Sequence, residues 1–325
     1  MPESALMMSF GTSLTWPVVV AVLCGAALHA GWNALVKSAG DKTVDTALVH
    51  FLGAWVALPL LFIVGLPRPE AAPYIAASLV IHIGYYIALA GAYEHGELGM
   101  TYPIMRGFAP LLVALSSGAF IGESPSATAW MGTIAITVGV ALVGLARPTP
   151  KASGLRQTAD SPQGLSASGL SPGEALHHRK ALAFAFTNAA IIALYTVVDG
   201  LGVRAEVNAG GSALRYVMIL FVLDGLPYPL LVWLRRTPAQ RQQIVAYACG
   251  RWPKAAMGGA ASIGSYAIAL WAMTQAPVAS VAALRETSVL FAALLGTWLL
   301  KEKFGWQRAL GTAVVVLGVV SLRLA

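Results

Sequence analysis

The sequence of 325 residues predicts an all-α integral membrane protein, with ten transmembrane helices arranged as two inverted five-helix repeats around a central cavity. Three observations carry this. Apolar residues make up 57% and charged residues 11%, and the mean hydropathy is +0.70; a typical soluble domain is roughly 25% charged. Apolar stretches of about 20 residues, long enough to cross a bilayer, recur along the whole chain. Finally, the two halves carry the same polar residues at a constant offset. Too little polar surface remains for a soluble enzyme, a disordered chain or a nucleic-acid-binding domain. The net charge of +7 therefore reads as a topology signal. Cys24, in an apolar stretch, and Cys249, near a loop, make no disulfide framework. Met1 to Thr15 contains no Lys or Arg, so the basic start of a cleaved signal is missing and the first span should be retained. A multi-pass location in the cell (inner) membrane is expected.

In order, the spans fall near 16–36, 45–66, 72–93, 100–121 and 127–146, then 181–202, 212–234, 254–274, 279–300 and 306–323. Internal Pro and Gly do not veto helices in lipid, because neighbouring groups satisfy the freed backbone. The expected units are a first repeat over 1–146, a linker over 147–180 and a second repeat over 181–325. The linker is rich in Ser, Gly and Pro, and such a segment buries too little apolar surface to offset its ordering entropy. Its His177-His178 pair has no Cys or carboxylate framework around it, so a solvated loop is expected there.

From Arg106 onward the halves align without gaps, and before it with a shift of one residue. An offset of 179 carries Arg106 and Glu123 onto Arg285 and Glu302, Leu111, Ala114 and Leu115 onto Leu290, Ala293 and Leu294, Gly132-Thr133 onto Gly311-Thr312, and Gly139 onto Gly318. An offset of 180 carries Ile83-Gly84-x-Tyr86 onto Ile263-Gly264-x-Tyr266. Five spans per half means that the copies enter the membrane in opposite directions. That is the plan of secondary transporters, with the site near the midplane at the repeat interface.

Charged and polar groups inside spans cost at least about 2.5–3.5 kcal/mol at the bilayer centre, so they should face protein or a wet cavity. Helical spacing groups them. Span 1 carries His29, Asn33 and Lys37 every fourth residue, with Trp32 alongside; span 3 carries His82, Tyr86 and Tyr93, flanked by Tyr85. Span 4 stacks Tyr102 and Arg106; span 6 offers Asn188, Tyr195 and Asp199; span 8 offers Tyr266 and Trp271. In span 9 Arg285 and Glu286 are adjacent, so they point about 100° apart and cannot simply neutralise each other. Arg106, Arg285 and Lys37 suit an anionic head, which an arginine fork can bind bidentately. Asp199 and Glu286 suit an ammonium, and the aromatics add cation–π or apolar contact. Together they favour a small zwitterion, such as an amino acid or aminophosphonate. Glu286, Asp199, His29 and His82 are the proton-coupling candidates. Glu123 and Glu302 precede the next helices and read as caps, with Ser124-Pro125 as N-cap and first residue. Arg215 and Asp224, nine residues apart in span 7, are expected to serve packing.

Tyr102-Pro103-Ile104-Met105-Arg106-Gly107-Phe108-Ala109-Pro110, closing at Gly122-Glu123, resembles the fourth helix of EamA-type proteins of the drug/metabolite transporter superfamily. Leu284-Arg285-Glu286-Thr287-Ser288, closing at Lys301-Glu302, resembles the ninth, and His29-Ala30-Gly31-Trp32-Asn33 with Lys37 resembles the first helix of one branch. The resemblance implies a cavity lined by helices 1, 3, 4, 6, 8 and 9, which are the spans with polar stripes here. It also implies a transporter, with substrates in the superfamily ranging over amino acids, sugars, nucleotide sugars, cations and drugs.

No G-x-x-x-x-G-K-[ST] loop occurs, so transport would be secondary, drawing on a proton or counter-substrate gradient. His-Glu-x-x-His and Gly-x-Ser-x-Gly are also missing, and no enzyme activity, catalytic residue, metal or cofactor is expected. The expected partners are a small-molecule substrate and the lipid bilayer, in a monomer or homodimer, with no nucleic acid. A multidrug or organic-cation exporter of the same fold, and a non-transporting membrane scaffold, stand as alternatives. Fifteen of the 21 Lys and Arg lie in loops after odd-numbered spans and three on the opposite side. The excess puts the linker in the cytoplasm and both termini outside, whereas the family habit is termini inside.

Overall fold

The computed structural model describes residues 13–95, 98–145, 172–300 and 305–325, and these form helices with no strand among them. The first half contains α1 (Trp16–Lys37), α2 (Lys42–Val64), α3 (Ala72–His95), α4 (Leu98–Phe120) and α5 (Ala127–Gly144). The second contains α6 (Pro172–Asn208), α7 (Ala213–Asp224), α8 (Pro227–Leu234), α9 (Pro238–Met273), α10 (Val278–Arg285), α11 (Ser288–Leu300) and α12 (Trp306–Leu324). Ten stretches are long and apolar enough to cross a membrane, because α7 with α8 and α10 with α11 each make one broken span. Their outer faces expose large apolar side chains such as Phe62, Ile63 and Trp306, as a multi-pass membrane protein requires.

Local chemistry sets the ends. Asp41 caps α2 by accepting from the Val44 amide at 3.0 Å. Thr237 and Gln240 form a reciprocal capping box at the start of α9, with Pro238 in the first turn. α5 is capped by Ser126, whose Oγ accepts from the Ala129 amide at 3.1 Å, and not by Ser124 as its Pro neighbour suggested. Gly122 ends α4 at φ 76°, a left-handed conformation that a side chain would strain.

Two expected boundaries move. α6 already runs at Pro172, so His177 and His178 are exposed on a helix, not in a loop. α9 begins at Pro238, so Arg241, Arg251 and Lys254 belong to a helix that extends past the bilayer. Residues 147–171 of the linker and Glu302 lie outside the described residues.

The packing exchanges the halves. α3 packs on α6 and α1 on α9; α4 packs on α6 and α1 on α11; α2 meets α7, and α5 meets α12. At the last contact a Cβ on Gly132 would meet the Gly318 carbonyl at 2.8 Å, and one on Gly139 would meet that of Gly311 at 2.7 Å. The offset of 179 converts the first contact into the second, as a local two-fold between antiparallel helices demands. Small residues there let two backbones touch, the usual device for helix association in lipid.

Candidate functional site

The site forms where α4, α10, α1 and α6 converge. Pro103 and Pro110 flank Arg106 within α4, and Arg106 is only 9% exposed. Opposite it, α10 ends in a tightened turn. The amides of Glu286, Thr287 and Val289 donate to the carbonyls of Ala283, Leu284 and Glu286, three residues back, at 3.1 Å each. Adjacent side chains at this turn diverge. Glu286 faces α4, its Oε2 lying 3.2 Å from Arg106 Nε. Arg285 faces α9, its guanidinium 5.1 Å from the centre of the Tyr266 ring. Neither neutralises the other, as their adjacency predicted.

The Arg106–Glu286 pair is close but poorly aligned. Arg106 Nε and Glu286 Oε2 are both buried without a hydrogen bond of good geometry. Another Arg106 nitrogen, Nη2, lies 2.6 Å from His29 Nε2 on α1. Trp32 donates to the other His29 nitrogen at 3.3 Å. A neutral imidazole accepts at one nitrogen only, so the two donors compete and the shorter Arg106 contact prevails. Asn33 turns back, donating to the His29 carbonyl at 2.8 Å.

Between these groups lies a cavity of about 10 Å³, lined by Arg106, Ile192, Tyr195, Thr196, Arg285 and Glu286 among others. Such a space holds about one water. Tyr195 stacks on His82 with ring centres 4.6 Å apart. Beside it, Asp199 is fully buried, accepting from the Tyr216 hydroxyl at 2.9 Å and from Tyr266. Tyr102, half-buried one turn from Arg106, packs with Met105, Ala109 and Tyr195. Arg106, Arg285, Glu286, His29, Trp32, Asn33, Tyr102, Tyr195, His82, Asp199 and Tyr266 are thus brought together.

Three expected members stand elsewhere. Lys37 closes α1 at an exposed position, because the helix reaches the surface before the fourth-residue stripe does. Trp271 is 40% exposed; five residues past Tyr266, it lies about 140° around α9. Tyr86, though one turn from His82, faces α7 and donates to Asp224 at 2.8 Å, while Tyr85 contacts Tyr195 at 6.1 Å between ring centres. The side chain of Tyr93 lies outside the described residues.

Other polar contacts were not legible. Arg204, expected in a loop, is 7% exposed; it donates to the Met273 and Ala276 carbonyls at 2.8 and 3.1 Å and pairs with Glu123 at 2.5 Å. Glu123 does cap a helix, but α10 and not α5, accepting from the Val278 amide at 2.9 Å. Both line a larger cavity of about 350 Å³ at the end that carries the termini. At the opposite end Arg251 pairs with Asp45 at 2.8 Å. Asp224, expected to serve packing, is instead hydrogen-bonded in mid-span. A charge in the middle of a span beside Gly225 and Pro227 was its signal.

The family model of EamA-like transporters matches residues 179–324. No curated protein matches the chain. Among 28 solved chains that match, one described only as "Crystal structure of protein" superposes with a TM-score of 0.65 at 16% identity, covering 95% of this chain and 96% of that one. At that identity the likeness speaks for the fold alone. The family match over residues 179–324, the ten membrane-length apolar helices and the all-helical fold together fit an EamA-type transporter of the drug/metabolite transporter superfamily.

Proposed function

We propose that the protein is a secondary, alternating-access transporter of a small zwitterionic or anionic metabolite, such as an amino acid or aminophosphonate, built from two inverted repeats. The observation that carries this is the Arg106–Glu286 pair, which meets at 3.2 Å across the halves without satisfying Arg106 Nε or Glu286 Oε2. A zwitterion could replace it, carboxylate or phosphonate to Arg106 and ammonium to Glu286, with better geometry at both ends. A charge-assisted hydrogen bond of good geometry contributes about 1.5–3 kcal/mol. Arg285 over Tyr266, with Tyr195 and Trp32, would bound the side chain accepted. The cavity of about 10 Å³ is too small for any metabolite, so binding requires α4, α6 and α10 to part.

The test is a panel of amino acids, aminophosphonates, sugars, organic cations and neutral drugs on purified protein. A compound at a hundred times its Kd stabilises the fold by about 2.7 kcal/mol, readable as a thermal shift. Hits are then assayed for counterflow in liposomes. Stabilisation by lipophilic cations alone would refute the zwitterion site and favour a multidrug exporter; binding without counterflow would favour a scaffold.

A further inference from the structure

A second polar cluster sits near mid-membrane, apart from the Arg106–Glu286 site. It is built on the break between α7 and α8. α7 ends at Asp224, Gly225 terminates it, and Pro227 starts α8. A Cβ on Gly225 would meet the His50 carbonyl at 2.8 Å and Ala54 at 2.5 Å, so only glycine lets the break press against α2. The Asp224 carboxylate accepts from Tyr86 at 2.8 Å, and the same hydroxyl lies 3.5 Å from His50 Nδ1. Tyr228 of α8 closes the cluster, stacked on Tyr86 at 5.1 Å and 6.0 Å from His50 between ring centres.

We propose that Asp224 and His50 form a proton-binding site that couples proton movement to transport. Asp45, Glu123 and Glu286 each have an arginine partner, whereas Asp224 forms no salt bridge among the described residues. A mid-span carboxylate without a cation is costly, and residues retained at that cost mark ion and proton pathways. It also stands at the C-terminal end of a half-helix, where the helix dipole is negative and cations are drawn, the placement of coupling ions in broken-helix transporters. An imidazole nitrogen and one carboxylate suit a proton; a sodium ion would need more oxygens. Asp224 and His50 are half-buried.

The neighbouring groups are few. α3 contributes Tyr86 and, at longer range, His82; α8 contributes Tyr228, with Asp41 at the start of α2 acting on it from a distance. From α6 Asp199 is engaged by Tyr216 of α7, and from α9 Tyr266 meets Phe221 and donates to Asp199. A proton from water would turn the Asp224 carboxylate into an acid that can donate to the Tyr86 hydroxyl, which would then turn its own proton toward His50 Nδ1, 3.5 Å away. Tyr86 would then change from donor to acceptor at Asp224, and Tyr85, 5.4 Å away between ring centres, would carry the change to Tyr195 in the substrate site.

This assignment rests on the transport function proposed above, and its test separates the two. Infrared difference spectra of the full-length protein in lipid, acid minus alkaline, should contain a carboxylic C=O stretching band that Asp224→Asn removes and His50→Gln shifts. Persistence of the whole band in Asp224→Asn would overturn the proposal. In liposomes, an imposed pH gradient should raise wild-type uptake of whichever panel compound shows counterflow, and Asp224→Asn should abolish that response. Wild-type counterflow that ignores the gradient would overturn the coupling while leaving transport intact. If no panel compound is carried, the transport function falls and the infrared titration alone decides the proton site.

Discussion

Removing one charge of the Arg106–Glu286 pair should harm the fold more than removing both. At 3.2 Å and an effective dielectric constant of about 20, the pair attracts by about 5 kcal/mol. Desolvation of two buried ions offsets much of that, so the pair adds little net stability. Breaking it is different, because Arg106→Ala strands Glu286 and Glu286→Gln strands Arg106, each at about 3–5 kcal/mol. The double variant leaves no uncompensated charge and should recover most of that loss. Transport should not recover, since both proposed substrate contacts are gone. The assay is thermal unfolding in detergent for the wild type, the two single variants and the double variant, beside counterflow of the best panel compound. A double variant no more stable than the weaker single one would refute the pairing. Full counterflow in any variant would refute the site.

Gly139→Ala and Gly311→Ala should each cost about 1–3 kcal/mol by overpacking, since each added Cβ would meet the opposing backbone carbonyl at 2.7–2.9 Å. Together they should cost less than their sum in thermal unfolding, because the first already parts α5 from α12. Arg204→Met removes both carbonyl contacts and the pairing with Glu123, for a loss of about 3–5 kcal/mol, with Arg204→Lys intermediate; equal stability of both variants would argue against a bidentate role for the guanidinium. With Cys24→Ser as background, exposed Cys249 on the Lys/Arg-rich side should resist a membrane-impermeant maleimide in intact cells and react in inverted vesicles. The reverse pattern would put the termini inside.

Sequence alone determined the class, the ten spans and the repeat, because crossing a bilayer is a local demand. About 20 apolar residues are needed each time, and every charge inside such a stretch stands out. Arg106, Arg285 and Glu286 were legible for that reason, and so was the divergence of the last two, which follows from helical geometry. The helix breaks at Gly225 and after Glu286 were not, since glycine and polar residues are tolerated inside spans that neighbours support. Tertiary structure decided the partners. His82 and Tyr86 share a helical stripe, yet one stacks on Tyr195 and the other donates to Asp224, 138 positions away. Arg204 read as a loop charge until α6 proved longer and brought it to Glu123, and Arg251 became a partner of Asp45 only because α9 starts at Pro238. Periodicity places a side chain on a face; which groups meet there depends on how helices distant in sequence pack, and no local pattern encodes that.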